Sequence, residues 1–167
     1  MTATRVIHGE VDVPAALEAV WSAWTTEPGA RTFFAPKCKI DLRPLGAYEM
    51  YFDLAAEPGL QGGEGCCLLA IQPMTMLAFT WNAPPDLPEV RGQYTHVVLR
   101  LLALGEQRTR VAMTHDGWGE GGQWDRAFDY FERAWKKVVF PRLAYRFTHG
   151  PIDWDHLPDL TPFIRVG

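Results

Sequence analysis

Residues 123–138 read Gln-Trp-Asp-Arg-Ala-Phe-Asp-Tyr-Phe-Glu-Arg-Ala-Trp-Lys-Lys-Val. Trp124, Phe128, Phe131, Trp135 and Val138 recur at intervals of four, three, four and three. That spacing puts an aromatic stripe on one face of a helix. Asp125, Arg126, Asp129, Glu132, Arg133, Lys136 and Lys137 fall on the other side. A helix so sharply two-faced needs an apolar layer beneath it. Pro141 predicts a kink or an end, because proline lacks the amide donor and its ring clashes with the preceding turn. Leu143–Phe147 are compatible with a continuation.

The layer beneath is written upstream. From Cys38 to Asp116, short apolar runs alternate with turn residues, the pattern of an antiparallel meander. The spacing predicts strands over Cys38–Leu42, Ala47–Leu54, Glu64–Ile71, Met76–Trp81, Thr95–Leu104 and Thr109–His115. Gly and Pro clusters break them, and Ala83–Pro88 reads as a stiff loop. Before the meander, Val11 and Val13 alternate with Glu10 and Asp12, predicting a strand over Arg5–Val13. Pro14 then suits the first position of a helix reaching Trp24, with Leu17, Val20, Trp21 and Trp24 on its apolar face. Thr25–Pro28 interrupt it and begin a short second helix ending near Phe33-Phe34. The expected fold is α+β: a curved antiparallel sheet, two short helices after its first strand, and a long closing helix. Residues 1–149 make one domain, and 150–167, with three Pro and no period, form an extension packed on it or trailing from it.

The chain has 167 residues, enough to bury about 70% of its unfolded surface. A net charge of −4 with no Lys/Arg run excludes nucleic acid as a partner. No apolar run is long enough to predict a membrane span. Residues 1–5 lack an apolar signal region, so a cytosolic location is expected. Cys38, Cys66 and Cys67 are an odd set, and the adjacent pair points to opposite faces of a strand, so all three are expected to be reduced. Aromatic residues reach 13%, with seven Trp and nine Phe. That content fits either an aromatic-rich core or a pocket.

The chemistry-bearing motifs are few. Gly117-x-Gly119-x-x-Gly122 matches a dinucleotide fingerprint in letters, but the strand before it ends a meander and no strand pattern follows the helix. It reads as a hinge. No two His stand at ligand spacing and there is no C-x-x-C, so no metal and no cofactor is expected. His115 shares a strand face with Val111 and Met113, which directs it toward the interior as a hydrogen-bonded rim residue. With Asp116 it is also a candidate acid–base pair. Cys66 and Cys67 read as inert buried thiols rather than nucleophiles.

Val13–Pro28, Gly46–Met50 and Thr114–Trp118 together resemble the START/Bet v 1-like (SRPBCC) helix-grip superfamily. More narrowly, they resemble the branch homologous to the C-terminal domain of the activator of Hsp90 ATPase. The resemblance runs from about Arg5 to Phe147. It implies a seven-stranded antiparallel sheet gripping the last helix. It also implies a range of activities, from carriers of apolar ligands through polyketide cyclases to co-chaperones, with few fixed catalytic residues. The eukaryotic activator carries an additional N-terminal domain, which is not expected in these residues. The leading expectation is a small, largely apolar ligand held between sheet and helix by Trp24, Phe34, Met50, Phe52, Trp81, Met113, Trp118, Trp124, Phe128, Phe131 and Trp135, with His115 as the polar contact. A cyclase or hydrolase using His115 and Asp116, and a chaperone-binding module, are the alternatives. A homodimer is compatible with any of them.

Overall fold

The computed structural model describes residues 4–165. Its strands are β1 (Ile7–Val13), β2 (Lys37–Ile40), β3 (Tyr48–Tyr51), β4 (Leu68–Gln72), β5 (Met76–Trp81), β6 (Thr95–Gly105) and β7 (Arg108–Asp116). The helices are α1 (Leu17–Thr25), α2 (Glu27–Ala30), α3 (Pro88–Arg91), α4 (Gln123–Ala134) and α5 (Phe140–His149), with a π-helical turn over Trp135–Val139 joining the last two. Five strands form an antiparallel sheet in the order β1-β7-β6-β5-β4. The register sets Val11 opposite Val111, Leu99 opposite Met113, Leu77 opposite Leu99, and Phe79 opposite Val97. These pairs make the apolar face, and it is buried because the closing helix lies over it.

The single seven-stranded sheet expected from the resemblance divides into five strands and two. β2 and β3 pair with each other, and β3 reaches β4 only through an irregular seam. There Tyr48 N–H donates to Cys66 C=O at 2.9 Å and Leu68 N–H donates to Gly46 C=O at 2.9 Å. The ladder breaks because the chain turns hard on both sides. Leu45 holds φ 65°, and a Cβ at Gly46 would sit 2.0 Å from Asp41 O. The strand expected from Glu64 begins at Leu68 instead, since the Glu64 carboxylate accepts from the Gln61 and Gly62 amides and holds a turn. The strand expected to reach Leu54 stops at Tyr51. There Phe52 and Asp53 N–H both turn to Gln61 C=O.

Pro14 is not at a helix start. Thr109 Oγ1–H donates to Ala15 C=O at 2.8 Å and fixes a corner, so α1 begins at Leu17. The loop expected over Ala83–Pro88 leads into α3, whose Val90 packs with Ala83, Leu87 and Ala127 in a small second core. Pro141 does not end the closing helix. The π-turn widens it so that Phe140 N–H donates to Trp135 C=O, five residues back, and the helix resumes with Pro141 in its first turn, where no amide is required.

Residues 150–165 fold back over the domain. Ile152 is buried, and its N–H donates to Thr32 C=O at 2.8 Å. Trp154 Nε1–H donates to Arg31 C=O at 2.7 Å, and Phe163 meets Tyr145 and His149 edge-on. No helix is long and apolar enough to cross a membrane among the described residues.

Candidate functional site

The π-turn stands over the apolar face of the sheet, and between them lies a cavity of about 220 Å³. The helix contributes Tyr130, Phe131, Ala134, Trp135, Val138, Val139 and Arg142; Phe34 follows α2, Phe52 follows β3, and Trp81 ends β5. The wide turn is what lets two consecutive valines face one space. Phe34 stacks near Trp81 at 5.6 Å between ring centroids and near Trp135 at 6.1 Å. Phe52 and Tyr130 are 43% and 42% exposed, so the cavity opens between them. A second hollow of about 210 Å³ adjoins it, sharing Phe52, Trp81, Tyr130 and Phe131, and it is rimmed by Asp53, Gln61, Asn82 and Pro84. Arg91 fixes that rim. Its guanidinium donates to Ala83 C=O on one side and to Gly59 and Gly62 C=O on the other. A larger hollow on the outer face of the sheet is lined by His8, Glu10, Arg100 and Thr114 and has no aromatic wall.

His115 lies behind the cavity wall. It is fully buried, with Ile7 and Val97 as its register partners on the neighbouring strands. Trp135 Nε1–H donates to His115 Nδ1 at 3.0 Å, so the imidazole proton is on Nε2. Nε2–H donates to Thr95 Oγ1 at 2.6 Å, and Thr95 Oγ1–H donates on to Trp81 C=O at 3.1 Å. Trp118 Nε1–H donates to the His115 carbonyl at 3.0 Å, and its ring lies 4.3 Å from the imidazole. Every polar atom of the side chain is matched. Burial pushes the His115 pKa down to about 3, with a smaller contribution from the His96 charge. The residue expected at the rim is a buried strut that holds the Trp135 indole of the cavity and, through its carbonyl, the Trp118 indole outside it.

The expected acid–base pair is not assembled. Asp116 follows His115 on β7 and projects from the opposite face, where its carboxylate is 3.8 Å from His96 and half-exposed. The other expected residues divide by depth. Phe34, Phe52, Trp81, Phe131 and Trp135 line the cavity. Trp24, Met50 and Met113 lie outside it, packed into the core with almost no exposure. Trp24 is enclosed by edge contacts to Phe33 and Phe34 at 4.8 and 5.4 Å. Trp124 and Phe128 continue the aromatic stripe but leave the cavity behind, and Trp118 in the loop after β7 joins them there: Trp118 and Trp124 cover the small core of α3, and Phe128 packs against Trp118. The stripe drifts because α4 crosses from the sheet to α3 along its length. Gly119 sits where a Cβ would be 2.2 Å from Trp124 Nε1, which is the packing reason for glycine in the hinge.

Tyr130, Ala134, Val138, Val139 and Arg142 were not expected in the lining. Arg142 carried a legible signal, seven positions after Trp135 on the same helical face. The three cysteines are free; burial pushes the Cys66 thiol up to about 12 and Cys38 to about 11, which removes thiolate at neutral pH. No cluster of His, Cys, Asp and Glu suited to a metal occurs among the described residues.

Comparison with known proteins agrees with this architecture. The solved Aha1 dimer of Colwellia psychrerythraea superposes with TM-score 0.65 at 17% identity, over 87% of this chain and 98% of that one. An HSP90 activator of Plasmodium falciparum gives TM-score 0.63 at 13% identity, over 86% and 94%. CalU16 of Micromonospora echinospora gives 0.63 at 21% identity, over 90% and 78%. No curated protein matches at comparable strength. At these identities the solved structures establish the helix-grip fold alone. The family model described as activator of Hsp90 ATPase homolog 1-like protein matches residues 14–147, from the corner before α1 to the last turns of α5. With strands, helices and cavity in the order that model covers, the chain belongs to the activator of Hsp90 ATPase homolog 1-like family.

Proposed function

We propose that the protein binds a small, flat, largely apolar molecule between the π-turn and the sheet. The observation that carries this reading is the rigidity of the cavity's deep wall. The Trp135 indole is held by His115, and the strand end that carries Trp81 is tied to the same imidazole through Thr95, beside a space that is open on one side. A preformed apolar wall lowers the ordering cost of binding. The sealed imidazole and the outward Asp116 give less support to an acid–base enzyme. A chaperone partner draws only on the names of relatives. Three free thiols suit a reducing, cytosolic setting.

The test uses naphthalene-2-acetamide as a neutral flat probe, with tryptophan fluorescence and calorimetry as readouts. Binding is expected with Kd on the order of 10–100 µM for a ligand of this size. Val138→Trp adds an indole at the cavity wall without removing a core contact, and it is expected to weaken binding tenfold or more while the melting temperature holds. Unchanged affinity in Val138→Trp would place the probe elsewhere and refute the site.

A further inference from the structure

We infer that the ligand is an amphipathic carboxylic acid whose carboxylate is held by Arg142. This rests on the apolar-binding reading above and sharpens it. Among the described residues, Arg142 brings the only cationic side chain to the cavity lining, and Tyr130 the only other ionisable one. Its Nε is buried without a hydrogen-bond partner, and no carboxylate lies within ion-pair distance of it among the described residues. Arg146, one turn further along α5, also has a buried Nε without a partner. Two like charges four residues apart on one helix repel each other. A cation set into an apolar wall with no counter-ion is destabilising unless something else compensates it.

The surroundings orient this arginine without satisfying it. Trp154, from the returning C-terminal segment, lies with its ring 5.1 Å from the Arg142 guanidinium carbon, and Trp154 is itself anchored to Arg31 C=O. Stacking fixes the plane of the guanidinium but leaves its N–H edge without an acceptor. A planar N–H fork matches a carboxylate in two parallel hydrogen bonds. Two turns earlier on the same helix, Trp135 joins Phe34 and Trp81 in the cavity lining, and their ring faces suit an apolar body. The guanidinium and the aromatic wall together describe a molecule with a flat hydrocarbon part and one acid group. Burial lowers the Arg142 pKa, yet a guanidinium keeps its charge at neutral pH.

The experiment compares naphthalene-2-acetic acid with naphthalene-2-acetamide on the full chain at pH 7, by calorimetry. The two probes share a shape and differ in charge. The acid is expected to bind about tenfold tighter, the range of one charge-assisted contact. Arg142→Met is expected to erase that preference, with Arg142→Lys in between. Equal affinities for acid and amide in the unsubstituted protein would overturn the inference and leave the apolar-binding reading standing. A preference that persists in Arg142→Met would also overturn it, by placing the anion on another cation. If neither probe binds, the cavity reading falls and this inference with it.

Discussion

His115 holds part of the cavity wall without lining the cavity itself. It receives the Trp135 indole N–H, donates to Thr95, and is closed over by Trp118 and Phe131. Its neutrality is therefore part of the folded state. The folded imidazole resists protonation down to about pH 3, whereas the unfolded one takes a proton near pH 6.5. Below pH 6.5 the unfolded chain holds more protons, so stability falls as pH falls. The full contribution is present above pH 6.5 and drains away toward pH 3. From pH 6.5 to 5 this single group removes about 2 kcal/mol. Urea melts at pH 7 and pH 5 should show that loss. His115→Gln should be roughly 2 kcal/mol less stable at pH 7, because Trp135 and Thr95 lose a well-placed partner. It should also lose less between the two pH values. Parallel pH dependence in the two proteins would rule out His115 as the titrating group.

At the scale of elements, the closing helix and the returning segment act as one unit. The π-turn absorbs the residue that Pro141 would otherwise displace, and it rotates α5 so that Phe140 and Leu143 enter the core. The returning segment then buries Ile152 and stacks Trp154 on Arg142. A chain ending at His149 should still fold, since α4, α5 and the sheet keep their core. It should lose about 2–4 kcal/mol, of which burial of Ile152 supplies about 2 and the indole hydrogen bond about 1. The urea midpoint measures this; an unmoved midpoint would show that the segment only lies on the surface. The same truncation should reduce the preference for naphthalene-2-acetic acid over its amide, because Arg142 loses the ring that holds it in plane.

For the whole molecule, the sheet and closing helix stabilise each other. Phe131, Trp135, Phe140 and Leu143 are buried against strands that no other long helix covers. At about 2 kcal/mol for each buried side chain, their removal takes most of a typical domain stability of about 5–15 kcal/mol. A chain ending at Gly122 should therefore show no cooperative thermal transition. A sharp one would contradict the helix-grip arrangement.

What the sequence determined by itself is what periodicity encodes. Alternation in β7 put Val111, Met113 and His115 on one face, and the four-three spacing put Phe131 and Trp135 on another. The limits of β5 were equally legible, because they depend on local turn chemistry. A repeat says which face is apolar, but not how far away the opposing layer stands or which element supplies it. Tertiary structure decided that Trp124 meets α3 while Trp135 meets the sheet, that Trp24 and Met50 fill space while Phe52 and Trp81 border it, and that His115 is sealed. It also decided that Arg142 faces an apolar cavity without a counter-ion. Each outcome depends on separations of a few ångströms between layers, fixed by the seam between β3 and β4 and by the π-turn. Both arise from residues distant in sequence, so neither leaves a periodic trace.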